Sequence, residues 1–217
     1  MTAVSGFLKR RTLEWLDVSK DIRVIPNFVD TDVFRPAKRR GAPAVVHVSN
    51  FRAVKRSADA IRAFCLVRKR RAARLVVIGD GPERPAVEAL AKRLRLDVEF
   101  RGEERAIEAL LGRASVLLSA SEFEGFGLAP LEAMACGAAV VATDAGGISE
   151  VLGDTGLIAP VGDVEALAQR TIEALDRPEL GAAGRERAIA HFRPEVVVPQ
   201  YERLYRELLD SREVARA

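Results

Sequence analysis

Short apolar runs recur between residues 44 and 160, and each is followed by residues with helical periodicity. The runs lack the polar alternation of a half-exposed strand, which is typical of strands buried on both faces of a parallel sheet. Repeated strand and helix units of this length predict an α/β fold with a doubly wound parallel sheet that binds ligands at the carboxyl ends of its strands. The predicted strands are residues 44–49, 75–78, 98–100, 116–118, 139–142 and 156–160.

The chain divides into three predicted segments. Residues 1–40 form a connector that holds a short helix and a strand, residues 41–177 form the sheet domain, and residues 178–217 form C-terminal helices. A polar break at residues 38–41 marks the first boundary, and residues beyond 210 are expected to fray.

The last predicted helix carries an apolar face. Because its other face mixes charges of both signs, we interpret this face as a packing stripe and not as a membrane element. The face consists of Val197, Tyr201, Leu204, Tyr205 and Leu208.

Charge and cysteine content narrow the functional classes. The chain has 34 basic and 31 acidic residues, and this small excess gives no indication of nucleic-acid binding. It shows no signal peptide and no long apolar run, so we expect a cytoplasmic protein without an integral membrane segment. Neither Cys65 nor Cys136 has a Cys or His partner at ligand spacing, which favours core packing over a disulfide or a metal site.

Residues 121–137, S-E-F-E-G-F-G-L-A-P-L-E-A-M-A-C-G, place two carboxylates on either side of a glycine-rich approach to an apolar helix. Gly125 and Gly127 relax the backbone where the helix begins, and free amides at the positive end of its dipole favour an anion such as phosphate. Glu124 stays in the loop, and Glu132 lies about one turn inside the helix. Acceptors flanking amide donors suit a nucleotide sugar. The alternative is a pair of solvated carboxylates beside an ordinary turn.

A basic stretch, S-N-F-R-A-V-K-R at residues 49–56, follows the first predicted strand. Arg52 and Lys55 lie at the strand end that faces the same cleft as Glu124, where they could neutralise a diphosphate leaving group. A solvated basic loop is the alternative for this stretch.

Other motif classes find no support. Residues 79–81 lack the G-x-G-x-x-G order of a dinucleotide fingerprint, and the chain has no G-x-x-x-x-G-K-[ST] loop. His47 lies inside a predicted buried strand and His191 near a helix end, positions more typical of structural histidines than of catalytic bases.

The two glutamates, separated by seven residues, resemble the E-x7-E signature of retaining GT-B-type glycosyltransferases of the glycogen-synthase-like class. Four further runs strengthen the resemblance, which covers nearly the whole chain: I-P-N-F-V-D-T-D-V-F at residues 25–34, S-N-F-R-x-V-K-R at 49–56, G-D-G-P at 79–82 and D-x-G-G-x-x-E at 144–150. The resemblance implies the C-terminal, donor-binding half of a GT-B fold.

The resemblance also implies roles for single positions. Glu132 would hold the ribose hydroxyls, Glu124 and the loop amides would meet the sugar hydroxyls and the distal phosphate, and Lys55 would contact the diphosphate. Many members have an arginine five residues before the lysine, where this chain has Asn50, and Arg52 is hypothesised to replace it. The implied catalytic residues are Lys55, Glu124 and Arg52, and the implied binding residues are Asn50, Arg101, Gly102, Gly125, Phe126, Gly127, Leu128 and Glu132, with Arg101 and Gly102 offering backbone to the nucleobase.

The resemblance further implies an enzyme with two Rossmann-like domains. Residues 2–8, T-A-V-S-G-F-L, resemble the end of the first, so the acceptor domain is expected to be missing here. We expect this part to bind a UDP-sugar, with no metal and no other cofactor, and to transfer little alone. The intact enzyme would move a hexose or N-acetylhexosamine to a small acceptor, for example N-acetylglucosamine to L-malate in bacillithiol synthesis. The alternatives are a non-catalytic nucleotide-sugar binding module and a related epimerase or sugar phosphorylase. Assembly into a homo-oligomer is also considered.

Overall fold

The computed structural model describes residues 1–16, 21–38 and 41–214. Part of the predicted polar break, at residues 39–40, and the end of the predicted frayed tail, at residues 215–217, lie outside these ranges. Within them, no helix is both long and apolar enough to cross a membrane.

The connector begins with a helix between two very short strands: β1 (Thr2–Ala3), α1 (Gly6–Trp15) and β2 (Arg23–Val24). The strands pair in parallel. The Ser5 hydroxyl accepts a hydrogen bond from the Leu8 amide and so caps α1. The predicted helix and strand are therefore present, while the domain boundaries at residues 40 and 177 stay predictions.

The main sheet has six parallel strands in the order β5-β4-β3-β6-β7-β8. Because the strand order reverses direction between β3 and β6, their carboxyl ends flank the crevice in which doubly wound sheets bind ligands. All six predicted strands are present, and the predicted fold class is confirmed. The strands are β3 (Ala44–Val48), β4 (Arg74–Ile78), β5 (Val98–Gly102), β6 (Val116–Ser119), β7 (Ala139–Thr143) and β8 (Leu157–Ala159).

Helices cover both faces of this sheet. Val45 belongs to the apolar cluster under α2, α3 and α7, whereas the next residue, Val46, belongs to the cluster under α5, α6 and α8. Consecutive strand residues therefore face two different cores, which explains why the strands lack polar alternation. The helices are α2 (Ser57–Arg68), α3 (Arg84–Arg93), α4 (Ile107–Leu111), α5 (Leu128–Ala135), α6 (Ile148–Leu152), α7 (Val164–Asp176), α8 (Glu179–Phe192) and α9 (Pro194–Val214).

The predicted packing stripe on α9 is wrong over its distal half. Val197 is buried, but Tyr205 and Leu208 are 60% and 53% exposed. Near these two residues the described contact of α9 is polar, since Arg23 of β2 pairs with Glu207 at 2.7 Å.

Candidate functional site

Three loops meet at the carboxyl edge of the sheet. The loop after β3 carries Lys55, and the loop after β6 carries Glu124; Lys55 Nζ lies 2.6 Å from Glu124 Oε2. The loop after β7 is joined to Glu124 through the backbone, since the Glu124 amide donates to the Ala145 carbonyl at 2.7 Å and the Gly147 amide donates to the Glu124 carbonyl at 2.8 Å. The structure therefore brings the predicted carboxylate and the predicted cation together.

Glycines allow these loops to lie so close. A Cβ atom on Gly147 would lie 2.3 Å from the Gly125 carbonyl oxygen, and one on Gly146 would lie 2.6 Å from the Phe7 ring. The same holds beside β3, where a Cβ on Gly79 would lie 1.9 Å from the Ser49 carbonyl oxygen. The G-G and G-D-G motifs are thus explained by backbone contacts between loops.

The loop before α5 turns its carbonyls toward the protein. The Glu124 carbonyl accepts from Gly147, and the Gly125 carbonyl accepts from the Ser5 hydroxyl at 2.6 Å. Within the described residues, no acceptor is found for the amides of residues 125–128. With Gly127 in a left-handed conformation at φ 103°, these amides form the donor-rich start of α5 that the sequence predicts for an anion.

Glu132 lies on α5, and no residue in the described ranges donates a hydrogen bond to its carboxylate. Burial raises the pKa of Glu132 from 4.5 to about 7, because the charged form loses hydration without gaining a partner. Near neutral pH this carboxyl is poised between its two protonation states and still lacks donors. Ligand hydroxyls would supply such donors, as the predicted ribose role requires.

The three cations of the β3 loop differ in their partners. Arg56, with φ 46°, binds Asp59 at 2.6 Å and Glu122 at 3.3 Å, and these carboxylates raise the pKa of the guanidinium. Lys55 belongs to a 3₁₀ turn (Ala53–Lys55) and is engaged by Glu124. Arg52 is exposed, and the described part of the chain offers it no carboxylate. Arg52 is therefore the cation most available to a ligand.

The predicted nucleobase contacts lie at the end of β5, the edge strand two positions from β3. The Gly102 carbonyl already accepts from the Gly79 amide at 2.6 Å, and the Arg101 side chain pairs with Glu99 at 2.7 Å. Asn50 is exposed beside Gly81, whose Cβ position would lie 1.9 Å from the Asn50 carbonyl oxygen. The roles of Asn50, Arg101, Gly102 and Phe126 stay predictions.

Two contacts of the connector were not anticipated from sequence. Glu150 accepts from the amides of Gly6 and Phe7, each at 2.7 Å, at the start of α1. Ser5 binds Gly125, as described above. The glutamate that ends the D-x-G-G-x-x-E run is therefore held by α1. In the sequence, only the capping serine before α1 gives a local signal for this junction.

Ser57 is the first residue of α2 but does not cap the helix. Its position suggests a helix cap, but the residue before α2 is Arg56, which makes no side-chain cap, and the Ser57 hydroxyl instead contacts His47 Nε2 at 3.0 Å and Ser49 Oγ at 2.8 Å. The hydroxyl is drawn into the protein because Ser57 is fully buried. In the described ranges no group of three or more His, Cys, Asp or Glu side chains is placed to hold a metal.

Comparison with known proteins finds a family and several relatives that this chain matches. The family described as glycosyl transferases group 1 matches residues 42–177. An N-acetyl-alpha-D-glucosaminyl L-malate synthase of Bacillus anthracis is 38% identical, over 96% of this chain and 60% of that protein. A GDP-mannose-dependent alpha-(1-6)-phosphatidylinositol dimannoside mannosyltransferase of Mycobacterium tuberculosis is 36% identical, over 57% of this chain and 32% of that protein.

Solved structures agree with the sheet topology. The sucrose-phosphate synthase of Thermosynechococcus elongatus superposes with a TM-score of 0.88 at 28% identity, and the match covers 97% of this chain and 58% of that structure. This confirms the predicted Rossmann-like half of a GT-B fold. Nearly all of this chain matches the Bacillus anthracis relative and the Thermosynechococcus elongatus structure, but it spans only about 60% of the length of each.

Proposed function

The chain belongs to the glycosyl transferases group 1 family, and from this premise we propose that it is the donor-binding half of a retaining glycosyltransferase. It would bind a UDP-sugar at the carboxyl edge of the sheet. The observation that carries the proposal is the set of amides at residues 125–128, for which the described part of the chain offers no acceptor. In sequence they lie between Glu124, which holds Lys55, and Glu132, whose carboxylate receives no hydrogen bond from the described residues.

The groups at this edge suit a leaving nucleoside diphosphate. When the bond between the anomeric carbon and the phosphate oxygen breaks, the diphosphate takes the electron pair, and its added negative charge needs fixed positive groups. Lys55, Arg52 and the amides at the start of α5 supply positive charge without a metal ion. Glu132 would accept the ribose hydroxyls, and Glu124 would accept hydroxyls of the sugar.

The proposed reaction is transfer of a hexose or N-acetylhexosamine, with net retention, to a small acceptor. Transfer of N-acetylglucosamine to L-malate, in bacillithiol synthesis, is the specific case that we propose, supported by the name of the Bacillus anthracis relative. The mycobacterial relative is named for GDP-mannose, so the nucleotide base needs a direct test.

We further propose that the acceptor site lies in the part of such relatives that this chain does not match. Purified chain would then transfer little sugar by itself. Incubation with UDP-N-acetylglucosamine and L-malate tests this, and efficient formation of the glycoside by this chain alone would overturn the proposal of an incomplete site.

Titration calorimetry of this chain with UDP, UDP-N-acetylglucosamine and GDP-mannose tests the proposed sugar donor. We expect UDP and its sugar to bind more tightly than GDP-mannose, and Glu132→Ala to abolish the UDP signal. Arg52→Ala should weaken UDP binding by about tenfold, the scale of one charged hydrogen bond. Arg93→Ala is the matched control, because Arg93 is also exposed but ends α3 at the opposite edge of the sheet. Equal binding by wild type and Glu132→Ala would remove the ribose role.

A further inference from the structure

A buried chain of hydrogen bonds lies directly beneath the loop that carries the site cations. It starts at the Phe51 amide, which donates to Ser49 Oγ at 2.9 Å, and continues from Ser49 Oγ to Ser57 Oγ at 2.8 Å. Ser57 Oγ contacts His47 Nε2 at 3.0 Å, and His47 Nδ1 contacts the Leu118 carbonyl at 2.8 Å. The chain therefore runs from the loop after β3, through α2 and β3, to β6.

The two ends fix the direction of every bond in between. The Leu118 carbonyl can only accept, so His47 carries its proton on Nδ1, and Nε2 of the neutral ring must accept. Ser57 must then donate its proton to Nε2 and accept from Ser49. Ser49 donates to Ser57 and is left to accept from the Phe51 amide, which can only donate. One tautomer of His47 therefore satisfies all of the groups.

The histidine is suited to this role because it stays neutral. His47 is only 2% exposed, and burial lowers its pKa to about 4, with the nearby Lys55 charge acting in the same direction. A protonated ring would have two donors and no acceptor, and would leave the Ser57 hydroxyl without its partner.

The far end of the chain holds a strained backbone. Phe51 has φ 48°, a left-handed conformation that is costly for a bulky side chain. The residue is fully buried, and its carbonyl accepts from the Glu83 amide at 2.9 Å. The hydrogen bond that its amide donates to Ser49 Oγ links this turn to the buried chain. Arg52 follows immediately and Lys55 lies three residues after it, so the turn at Phe51 sets where both cations lie.

We propose that His47 is a positioning residue, which holds the loop of residues 49–56 in its anion-binding conformation through Ser57, Ser49 and the Phe51 amide. The inference rests on the proposed function for its effect on affinity. Its effect on the loop itself is independent of any ligand.

Two measurements on the unliganded chain test the loop directly. The chain has two histidines, so ¹⁵N spectra resolve the ring nitrogens of His47 from those of His191, and we expect the Nδ1-protonated tautomer for His47. Hydrogen exchange should show the Phe51 amide protected in the wild type and at least about tenfold faster in Ser49→Ala and His47→Asn. An Nε2-protonated ring, or a Phe51 amide that exchanges at the wild-type rate in both variants, would overturn the proposal.

Affinity for UDP separates positioning from simple stability. Asparagine can replace Nδ1 as a donor to Leu118 but does not reach Ser57, whereas glutamine can offer an acceptor to Ser57. We therefore expect His47→Asn to weaken UDP binding by about tenfold, the scale of ordering one or two side chains, and His47→Gln to recover most of it.

Two controls complete the experiment. Val67→Ala removes core volume at the far end of α2, so it should lower Tm and leave UDP affinity within about twofold. His191→Asn should change neither. Equal loss in the glutamine and asparagine variants, or a matching loss in Val67→Ala, would show that only stability had changed. If wild-type chain fails to bind UDP, the proposed function fails, and the tautomer and the Phe51 amide still decide the role of His47.

Discussion

Glu124→Gln should tighten the binding of UDP, although Glu124 belongs to the proposed site. Glu124 holds Lys55 at 2.6 Å, with the two side chains only 20% and 25% exposed. A diphosphate must draw Lys55 away from this carboxylate and must also approach its negative charge. Glutamine has the same shape without the charge, so both costs disappear.

The size of the gain follows from the geometry of the pair. At an effective dielectric constant of about 20, charges 2.6 Å apart attract by roughly 6 kcal/mol before desolvation and side-chain ordering are counted. Net values for exposed ion pairs are about 0.2–1 kcal/mol, and this pair is more buried. We take about 1 kcal/mol, which corresponds to roughly fivefold tighter binding of UDP.

UDP-N-acetylglucosamine should respond differently. If Glu124 accepts hydroxyls of the sugar, glutamine is the weaker acceptor, so the gain seen with UDP should shrink or reverse with the sugar nucleotide. The ratio of the two Kd values, measured by titration calorimetry, is thus the informative quantity.

A matched control lies two residues away. Glu122→Gln removes a negative charge from the same loop, but Glu122 pairs with Arg56 at 3.3 Å and not with Lys55. We expect it to change the Kd for UDP by less than about twofold. Weaker or unchanged UDP binding in Glu124→Gln would refute the reasoning.

Three further predictions follow from single residues. Since Glu132 has a pKa of about 7, its carboxylate fraction grows from pH 6 to pH 8, and calorimetry should show UDP affinity rising over that range relative to Glu132→Gln. Between pH 4.5 and 7 the folded state binds more protons than the unfolded state, so Tm should fall with rising pH more in the wild type than in this variant. Gly147→Ala should lower the free energy of unfolding by about 1–3 kcal/mol in urea titrations, because its Cβ would lie 2.3 Å from the Gly125 carbonyl oxygen; an unchanged midpoint would contradict this. Asp59→Asn should lower Tm, because the buried Asp59 carboxylate binds Arg56 at 2.6 Å and Arg62 at 2.8 Å, whereas Asp154→Asn, on an exposed turn, should not.

The strands and the loops that form the site could be predicted because their signals are local. A run such as A-V-V-H-V at residues 44–48 faces two cores at once, and its composition shows this without knowledge of the partners. The start of α5 is predictable for the same reason, since the glycine spacing and the apolar helix that follows lie within a few residues of each other.

Contacts between distant segments could not be predicted in the same way. Glu150 binds the start of α1 across more than 140 positions of sequence, and no pattern near Glu150 distinguishes this partner from a ligand. Ser57 has the local sequence context of a helix cap, but its hydroxyl contacts Nε2 of the buried His47 on β3 instead. The error on α9 has the same origin, because periodicity identifies an apolar face but not what covers it.

Contacts within the protein hold the loops of the candidate site. Glycine contacts join the loops after β6 and β7, Ser5 holds the Gly125 carbonyl, and the buried serines hold the turn at Phe51. A sugar donor would therefore pay little for ordering the backbone, which favours binding. What the donor must still reorganise is the Lys55–Glu124 pair and the protonation of Glu132. These two changes are electrostatic, so the affinity of this site should be governed more by charge at Glu124 and Glu132 than by loop flexibility.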